Sequence, residues 1–154
     1  MSAPDLDTLY CRFIDGVNRR RLDQLDQYLA PGVVQHAPEA AVGIEAVRRT
    51  LADWLAAFPD LHLVIQELVT DGDHLIARLV LSGTHRGPLA GLAGCRADGP
   101  QSTPGDGSLA LGGLEPTGRR VDVPVFDAWL APHGRCVERW LQLDWLELLR
   151  QLGR

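Results

Sequence analysis

Lysine is absent from this chain of 154 residues, and all 15 of its basic residues are arginine. The absence excludes an enzyme that forms a Schiff base through lysine, and it excludes the phosphate-binding P-loop, which needs the same residue. Long apolar runs are missing as well, since none approaches the roughly 20 residues of a membrane-spanning helix. The N-terminal residues lack the apolar centre of a signal peptide, so we expect a cytoplasmic protein.

Cysteine is scarce, and the three cysteines, Cys11, Cys95 and Cys136, are widely separated. No pair has the CxxC spacing of a redox or zinc motif, so we expect free thiols in a reducing compartment. The five histidines also lack a close metal-binding spacing such as HExxH. We therefore expect no metal site. The formal net charge of −5 argues against nucleic acid as a partner.

The length and a hydrophobic content of 45% suit one domain with one core. Apolar residues recur at helical spacing in three N-terminal segments, 6–17, 22–29 and 44–58. Pro31-Gly32 ends the second of these segments and Pro59 ends the third. Three helices are therefore predicted before any long strand.

From residue 61 onward the apolar period changes to that of strands, which we predict at 61–70, 74–84, 119–130 and 135–144. Asp71-Gly72-Asp73 is a hairpin signal between the first two. Helices followed by a run of antiparallel strands predict an α+β fold, with helices packed on one side of a curved sheet. The segment 86–118 is rich in Gly, Pro and Ser, and we expect a flexible inserted loop at about 88–115.

The last predicted strand carries the strongest candidate for catalysis. Alternation places Glu138, Trp140, Gln142 and Asp144 on one face and apolar side chains such as Leu141 on the other. A carboxyl group held against apolar surface is disfavoured in its charged form and becomes suited to proton transfer. We therefore expect Asp144 to be an acid/base residue in a cavity. The alternative is a carboxylate that caps a short final helix beginning at Trp145.

The order of several motifs resembles that of the SnoaL-like polyketide cyclases, a branch of the nuclear transport factor two-like superfamily. The motifs that carry this resemblance, in chain order, are His36 after Val33-Val34-Gln35, Phe58-Pro59-Asp60-Leu61, Gly72-Asp73, Gly83-Thr84-His85-Arg86-Gly87, Pro116-Thr117-Gly118-Arg119-Arg120, and Gly134, Glu138, Trp140 and Asp144. The resemblance covers nearly the whole chain except about 20 residues of the long loop.

The resemblance implies a cone-shaped α+β barrel in which three helices and a strongly curved sheet enclose a pocket. It also implies ring closure by an intramolecular aldol reaction, with an aspartate as general acid/base and without a metal or cofactor. Asp144 is the matching aspartate, and His36 and His85 match polar positions that face the pocket in relatives. Many relatives carry an acidic residue directly after the tryptophan, where this chain has Leu141; alternation favours Asp144 as the catalytic group.

Further side chains are candidates for substrate binding: Trp140, Gln142, Arg78, His85, Phe126, Tyr10, Phe13 and Trp54. Arg78 lies among apolar strand residues, where it either binds a substrate oxyanion or pairs with a carboxylate. Tyr10 and Phe13 either form the floor of the pocket or pack in the core. His36 either polarises a carbonyl or is a structural histidine.

These observations predict a cofactor-free cyclase of a hydrophobic, polyketide-type substrate in natural-product biosynthesis. Two alternatives stay open: another reaction on the same fold, such as isomerisation, dehydration or an assisted cycloaddition, or a domain that binds ligands or dimerises without catalysis. Val121, Val123, Val125 and Trp129 form one apolar face of the third strand, and Phe126 and Leu130 lie on the other. Because one of these faces is available to a partner, we expect a homodimer.

Overall fold

The computed structural model describes residues 5–36, 40–89 and 114–153. It contains helices α1 (Leu6–Asn18), α2 (Ile44–Ala57) and α3 (Trp145–Gln151), and a 3-10 helix (Leu22–Gln27). Its strands are β1 (Leu29–Gln35), β2 (Ala41–Val42), β3 (His62–Asp71), β4 (His74–Thr84), β5 (Arg120–Leu130) and β6 (Cys136–Leu143). No helix among these residues is long and apolar enough to cross a membrane.

The helices form where the apolar spacing predicts them. Helix α1 buries one side, with Tyr10, Phe13 and Val17 facing the core. Helix α2 begins after Gly43, whose φ of +89° is a conformation that glycine adopts without strain. It buries Val47 and Trp54. The second predicted helix is a 3-10 segment that ends at Gln27, and Pro31-Gly32 lies within strand β1 instead of ending a helix.

The six strands form one sheet in the order β2-β1-β6-β5-β4-β3. All neighbouring pairs are antiparallel except β1 and β6, which are parallel. The predicted hairpin is confirmed, since Asp71 pairs with His74 across Gly72, which has a φ of +58°. The parallel β1–β6 pair places the N-terminal strand beside the last one, and this pairing joins residues about a hundred positions apart in sequence.

The α+β architecture predicted from the sequence is confirmed, with helices packed against one face of a curled sheet. Alternating residues of β5 point into the core, among them Val121, Val123, Val125 and Trp129. The opposite face of the sheet, which we call the outer face, carries exposed side chains such as Ile76 and Phe126. The predicted flexible insertion at 88–115 lies largely outside the described residues and stays a prediction.

Candidate active site

A cavity of about 570 Å³, counting the part open to solvent, lies between the helices and the inner face of the sheet. Its lining is formed by Tyr10, Ile14, Val17, Leu51, Trp54, Leu55, Leu61, Leu63, Leu79, Leu81, Val125, Asp127, Arg139, Leu141 and Leu143. Apart from three side chains, this lining is aliphatic or indole surface. A mostly apolar hollow with a few convergent polar groups is typical of sites that bind small apolar molecules.

The exposure of the lining residues distinguishes the mouth of the cavity from its closed end. Leu51, Leu55, Leu63 and Leu141 are partly exposed to solvent and mark the mouth. Tyr10, Asp127 and Arg139 are buried, with no more than 3% of their surface exposed, and mark the closed end. The equally buried Val17, Leu79 and Val125 belong to the closed end too, so a ligand there meets apolar and polar side chains together.

The polar atoms at the closed end form one hydrogen-bonded cluster. The Arg139 guanidinium donates from Nε to Asp127 Oδ1 at 3.1 Å and from Nη2 to Asp127 Oδ2 at 3.0 Å. Tyr10 Oη donates to the same Oδ2 at 2.9 Å. On its other side, Arg139 donates from Nη1 to Gln35 Oε1 at 3.1 Å. We call Tyr10, Gln35, Asp127 and Arg139 the polar cluster.

The cluster is charge-balanced but strongly desolvated. Burial acts to lower the pKa of Arg139, but the neighbouring Asp127 carboxylate outweighs this effect and the pKa lies above its ordinary value. Burial, and then the negative charge of Asp127, raise the pKa of the Tyr10 hydroxyl. Tyr10 is therefore neutral and acts as a hydrogen-bond donor at all ordinary pH values. The Phe13 ring lies 5.1 Å from the Arg139 guanidinium carbon and adds a cation–π contact.

The sequence matches the family model of the SnoaL-like polyketide cyclases over residues 7–152. The chain belongs to this family. No curated protein sequence matches the chain. Among solved structures, TsrD from Streptomyces laurentii is 27% identical, with a TM-score of 0.76 over 99% of this chain and 98% of TsrD.

Two further structures of similar fold are less identical. A SnoaL-like polyketide cyclase from Agrobacterium tumefaciens is 23% identical, with a TM-score of 0.70 over 99% of this chain and all of that chain. IdmH from Streptomyces antibioticus is 23% identical, with a TM-score of 0.72 over 97% of this chain and 99% of IdmH. At this level of identity, both likenesses establish the fold alone.

The predicted orientation of the last strand in this SnoaL-like chain is wrong. Asp144 is exposed, and its Oδ1 accepts a hydrogen bond from the Glu147 backbone N–H at 3.0 Å, so it caps helix α3 as the alternative prediction stated. Trp140 and Gln142 also lie on the outer face. The inner face of β6 instead presents Arg139, together with two leucines that line the cavity.

His36 belongs to the outer face as well, and it does not reach the cavity or Asp144. Its Nε2 lies 2.7 Å from Glu138 Oε1, and its ring stacks on Trp140 with centroids 5.0 Å apart. The structure thus groups three residues that the sequence singled out, but on the side of the sheet away from the cavity. The prediction that His36 and Trp140 share a pocket with the catalytic carboxylate is corrected accordingly.

The other polar candidates are also outside the cavity lining. Arg78 is on the outer face, opposite Phe126 in the β4–β5 ladder, and its Nε pairs with Glu67 Oε2 at 3.2 Å. The ion-pair alternative for Arg78 is therefore the observed one. Phe126 is 51% exposed, so its predicted place in the pocket is wrong.

His85 is fully buried next to the loop that follows β4, outside the cavity lining. Its Nδ1 accepts a hydrogen bond from the Thr117 backbone N–H at 3.1 Å, which places the ring proton on Nε2. Burial lowers the pKa of His85, although a backbone carbonyl contact with Gly87 acts in the opposite direction. The arrangement indicates that His85 anchors the segment before β5.

The aromatic candidates on the helices are placed as predicted, with one distinction. Tyr10 and Trp54 line the cavity. Phe13 is buried behind Tyr10 and packs against Trp129 and the Arg139 guanidinium instead. The pocket-floor alternative therefore describes Tyr10, whereas the core alternative describes Phe13.

Sequence reasoning missed Asp127, Arg139 and Gln35. A signal for the first two was present, because each is a charged residue in phase with the apolar residues of its strand, between Val125 and Trp129 in β5 and before Leu141 in β6. Leu141 lines the cavity directly opposite Asp127 in the β5–β6 ladder. Among the described residues, no group of three or more His, Cys, Asp or Glu side chains is arranged to hold a metal ion.

Proposed function

We propose that this protein is a cyclase that closes a ring in a polyketide-type carbonyl compound by acid/base chemistry. The observation that carries the proposal is the position of a carboxylate, a guanidinium and a phenol at the closed end of an otherwise apolar cavity. The membership of the SnoaL-like family supports a small hydrophobic substrate of this class. Fixed polar groups in a dry site act strongly on charge that develops during a reaction.

Asp127 is the proposed base. A carboxylate offers about four lone-pair sites, and Asp127 uses three of them for two bonds from Arg139 and one from Tyr10. The remaining site is on Oδ1, which accepts one bond from the residues that the structure describes. This site is available to a proton that a bound ketone carries next to its carbonyl group.

Arg139 supplies the complementary charge. Three of its five N–H donors are engaged by Asp127 and Gln35, and the described part of the chain offers the other two no acceptor. An enolate oxygen that forms near the guanidinium is stabilised by these donors. Each preorganised donor of this kind is worth about 2.7–4 kcal/mol in enzymes where it has been removed.

The proposed reaction balances without a second reactant. Asp127 Oδ1 takes the α-proton, and the electron pair of the broken C–H bond forms an enolate. The enolate carbon then bonds to a second carbonyl carbon of the same chain, and the resulting alkoxide takes the proton back from Asp127, with Tyr10 holding the carboxyl group in place. Substrate and product are isomers, so neither an oxidant nor a reductant is consumed.

The base can be tested without knowing the natural substrate. 1-Acetylnaphthalene is a flat aromatic ketone that serves as the probe, and NMR in D₂O follows the loss of its α-protons. We expect the protein to accelerate this exchange above the buffer rate and Asp127→Asn, measured under conditions where its circular dichroism matches that of the wild type, to abolish the acceleration. Asp144→Asn is the matched control, since it changes an exposed carboxylate to another good helix cap.

A second reaction type is favoured by one feature of the same cluster. The two bonds from Arg139 occupy the Asp127 carboxylate, so in this alternative the cavity acts by folding a substrate for a pericyclic ring closure. In this alternative, calorimetry detects binding of the ketone, but the exchange of its α-protons is not accelerated.

A ligand-binding domain without catalysis is tested with a linear triketone. If the protein binds the triketone but chromatography detects no cyclic isomer of it, a ligand-binding domain is favoured instead.

We also propose that the outer face pairs two copies of the chain. Ladder neighbours form an apolar row across four strands, through Val69, Ile76, Ala128 and Trp140. Val69 is 64% and Ile76 57% exposed, and Phe126 lies beside the row. Contiguous apolar surface of this kind marks an interaction site more often than free surface.

Sedimentation velocity at micromolar concentration tests this pairing. We expect a dimer for the wild type and a monomer for Phe126→Glu, because the new charge is placed beside the apolar row. Leu146→Glu is the control, since Leu146 is even more exposed but lies on α3. A monomeric wild type, or equal behaviour of the two variants, would refute the proposed dimer.

A further inference from the structure

Gln35 holds the cation of the polar cluster from the side opposite to Asp127. It is 2% exposed and does not line the cavity, so a ligand does not touch it. The parallel pairing of β1 and β6 places Gln35 directly beside Arg139 in the ladder. Its Oε1 accepts from Arg139 Nη1 at 3.1 Å.

We propose that Gln35 is a positioning residue that fixes which N–H groups of Arg139 face the cavity and keeps the cluster electrically neutral. This inference rests on the proposed function, because the role matters only where Arg139 acts on a substrate. A guanidinium is planar, and bonds on two of its edges define its rotation completely. Asp127 fixes one edge and Gln35 fixes Nη1, so the remaining two donors point in set directions.

The amide of Gln35 is suited to this task because it carries no charge. Arg139 balances a single carboxylate, Asp127, at bidentate distance. A second carboxylate in place of the amide would share the guanidinium and leave the cluster with a net charge of −1. Like charges within a few ångströms favour protonation, so the base would then be free only at higher pH.

Two substitutions separate positioning from simple packing. Gln35→Leu keeps the volume but removes the acceptor, and we expect the exchange of 1-acetylnaphthalene α-protons to slow about tenfold or more, with the dissociation constant of the ketone unchanged within about twofold. Gln35→Glu keeps the shape and adds the charge, and we expect its pH–rate profile to move to higher pH. A residue with only a packing role would not move that profile.

An NMR measurement keeps the inference independent of activity. In the wild type, the Nε–H of Arg139 should give a single, slowly exchanging signal, because it is buried and bound to Asp127. We expect this signal to shift or broaden in Gln35→Leu. If Gln35→Leu does not fold, the same signal and the pH profile are measured in Gln35→Glu, which is isosteric with the wild type.

The outcomes distinguish this inference from the proposed function. If Asp127→Asn abolishes exchange while both Gln35 variants match the wild type in rate and pH profile, the positioning role is overturned and the proposed function stands. If Asp127→Asn exchanges as fast as the wild type, the proposed function is overturned. In that case an unchanged Arg139 signal in the Gln35 variants overturns positioning too, whereas a shifted signal supports it.

Discussion

Replacing Asp127 by asparagine removes the one carboxylate that the described residues place against the buried Arg139 guanidinium. Arginine cannot lose its proton in a protein, so the variant must keep an unpaired cation in the core. Arg139→Met is the reverse change and leaves a buried carboxylate, which can take up a proton and become neutral. Removal of the carboxylate and removal of the guanidinium should therefore differ in how the loss of stability depends on pH.

Breaking a buried ion pair by removing one partner costs about 3–5 kcal/mol. We expect Asp127→Asn to lie in this range at every pH between 5.5 and 7.5. Since a domain is stable by about 5–15 kcal/mol in total, this variant should be close to unfolding. Arg139→Met should cost a similar free energy of unfolding at pH 7.5 and clearly less at pH 5.5. In this variant the buried Asp127 carboxyl becomes neutral by taking up a proton at low pH, and that relief is lost as the pH rises.

The double variant Asp127→Leu/Arg139→Met should cost less than either single variant. Removing both charges leaves no uncompensated ion, although Tyr10 loses its acceptor and Gln35 loses the bond from Arg139, each at about 1–3 kcal/mol. Urea unfolding followed by tryptophan fluorescence measures all three free energies, with equal m-values as the check on two-state behaviour. A double variant that costs more than either single variant, or singles below about 1 kcal/mol, would refute the view of the cluster as a coupled buried pair.

Two further predictions concern the segment that follows β4. Burial lowers the pKa of His85 below 6.5, so at lower pH the unfolded chain binds a proton that the native state does not, and stability should fall as the pH drops below about 6.5. Urea unfolding should show a weaker fall of stability with pH for His85→Gln. An equal fall in the variant and the wild type would contradict this role of His85. Gly87→Ala should lower stability by about 1–3 kcal/mol, since its Cβ would lie 2.1 Å from the Ala56 carbonyl oxygen. Gly32→Ala is the control for thermal unfolding: its Cβ meets no atom within 4 Å, so stability should be nearly unchanged.

Most of the fold was predictable because its signals are local. The apolar stripe of α1 and the alternation in β4 and β5 each arise within about a dozen residues, and the Asp71-Gly72-Asp73 turn fixes its own hairpin. The short strand β2 and the parallel β1–β6 pair were not predicted. Strands β1 and β6 are far apart in the chain, and β2 has only two residues, which is too short to show a period.

The site was predicted only in part, since alternation defines two faces of a strand but does not say which face is inside. The face of β6 with Trp140 and Asp144 has the residues of a typical site, yet it points outward. The face with Leu141 and Leu143 has the apolar residues of a packing surface, although Arg139 belongs to it and lines the cavity.

The sequence by itself determined the family, the α+β class and the apolar inner faces of the strands, because burial of apolar side chains imposes a period that any reader of the chain can find. The tertiary structure alone decided which carboxylate meets which cation. Asp127 and Arg139 are each unfavourable in an apolar environment, and they are tolerated only because the β5–β6 pairing, helix α1 and strand β1 bring their partners to within hydrogen-bonding distance. That convergence of separate segments is a property of the folded chain, and the proposed chemistry depends on it.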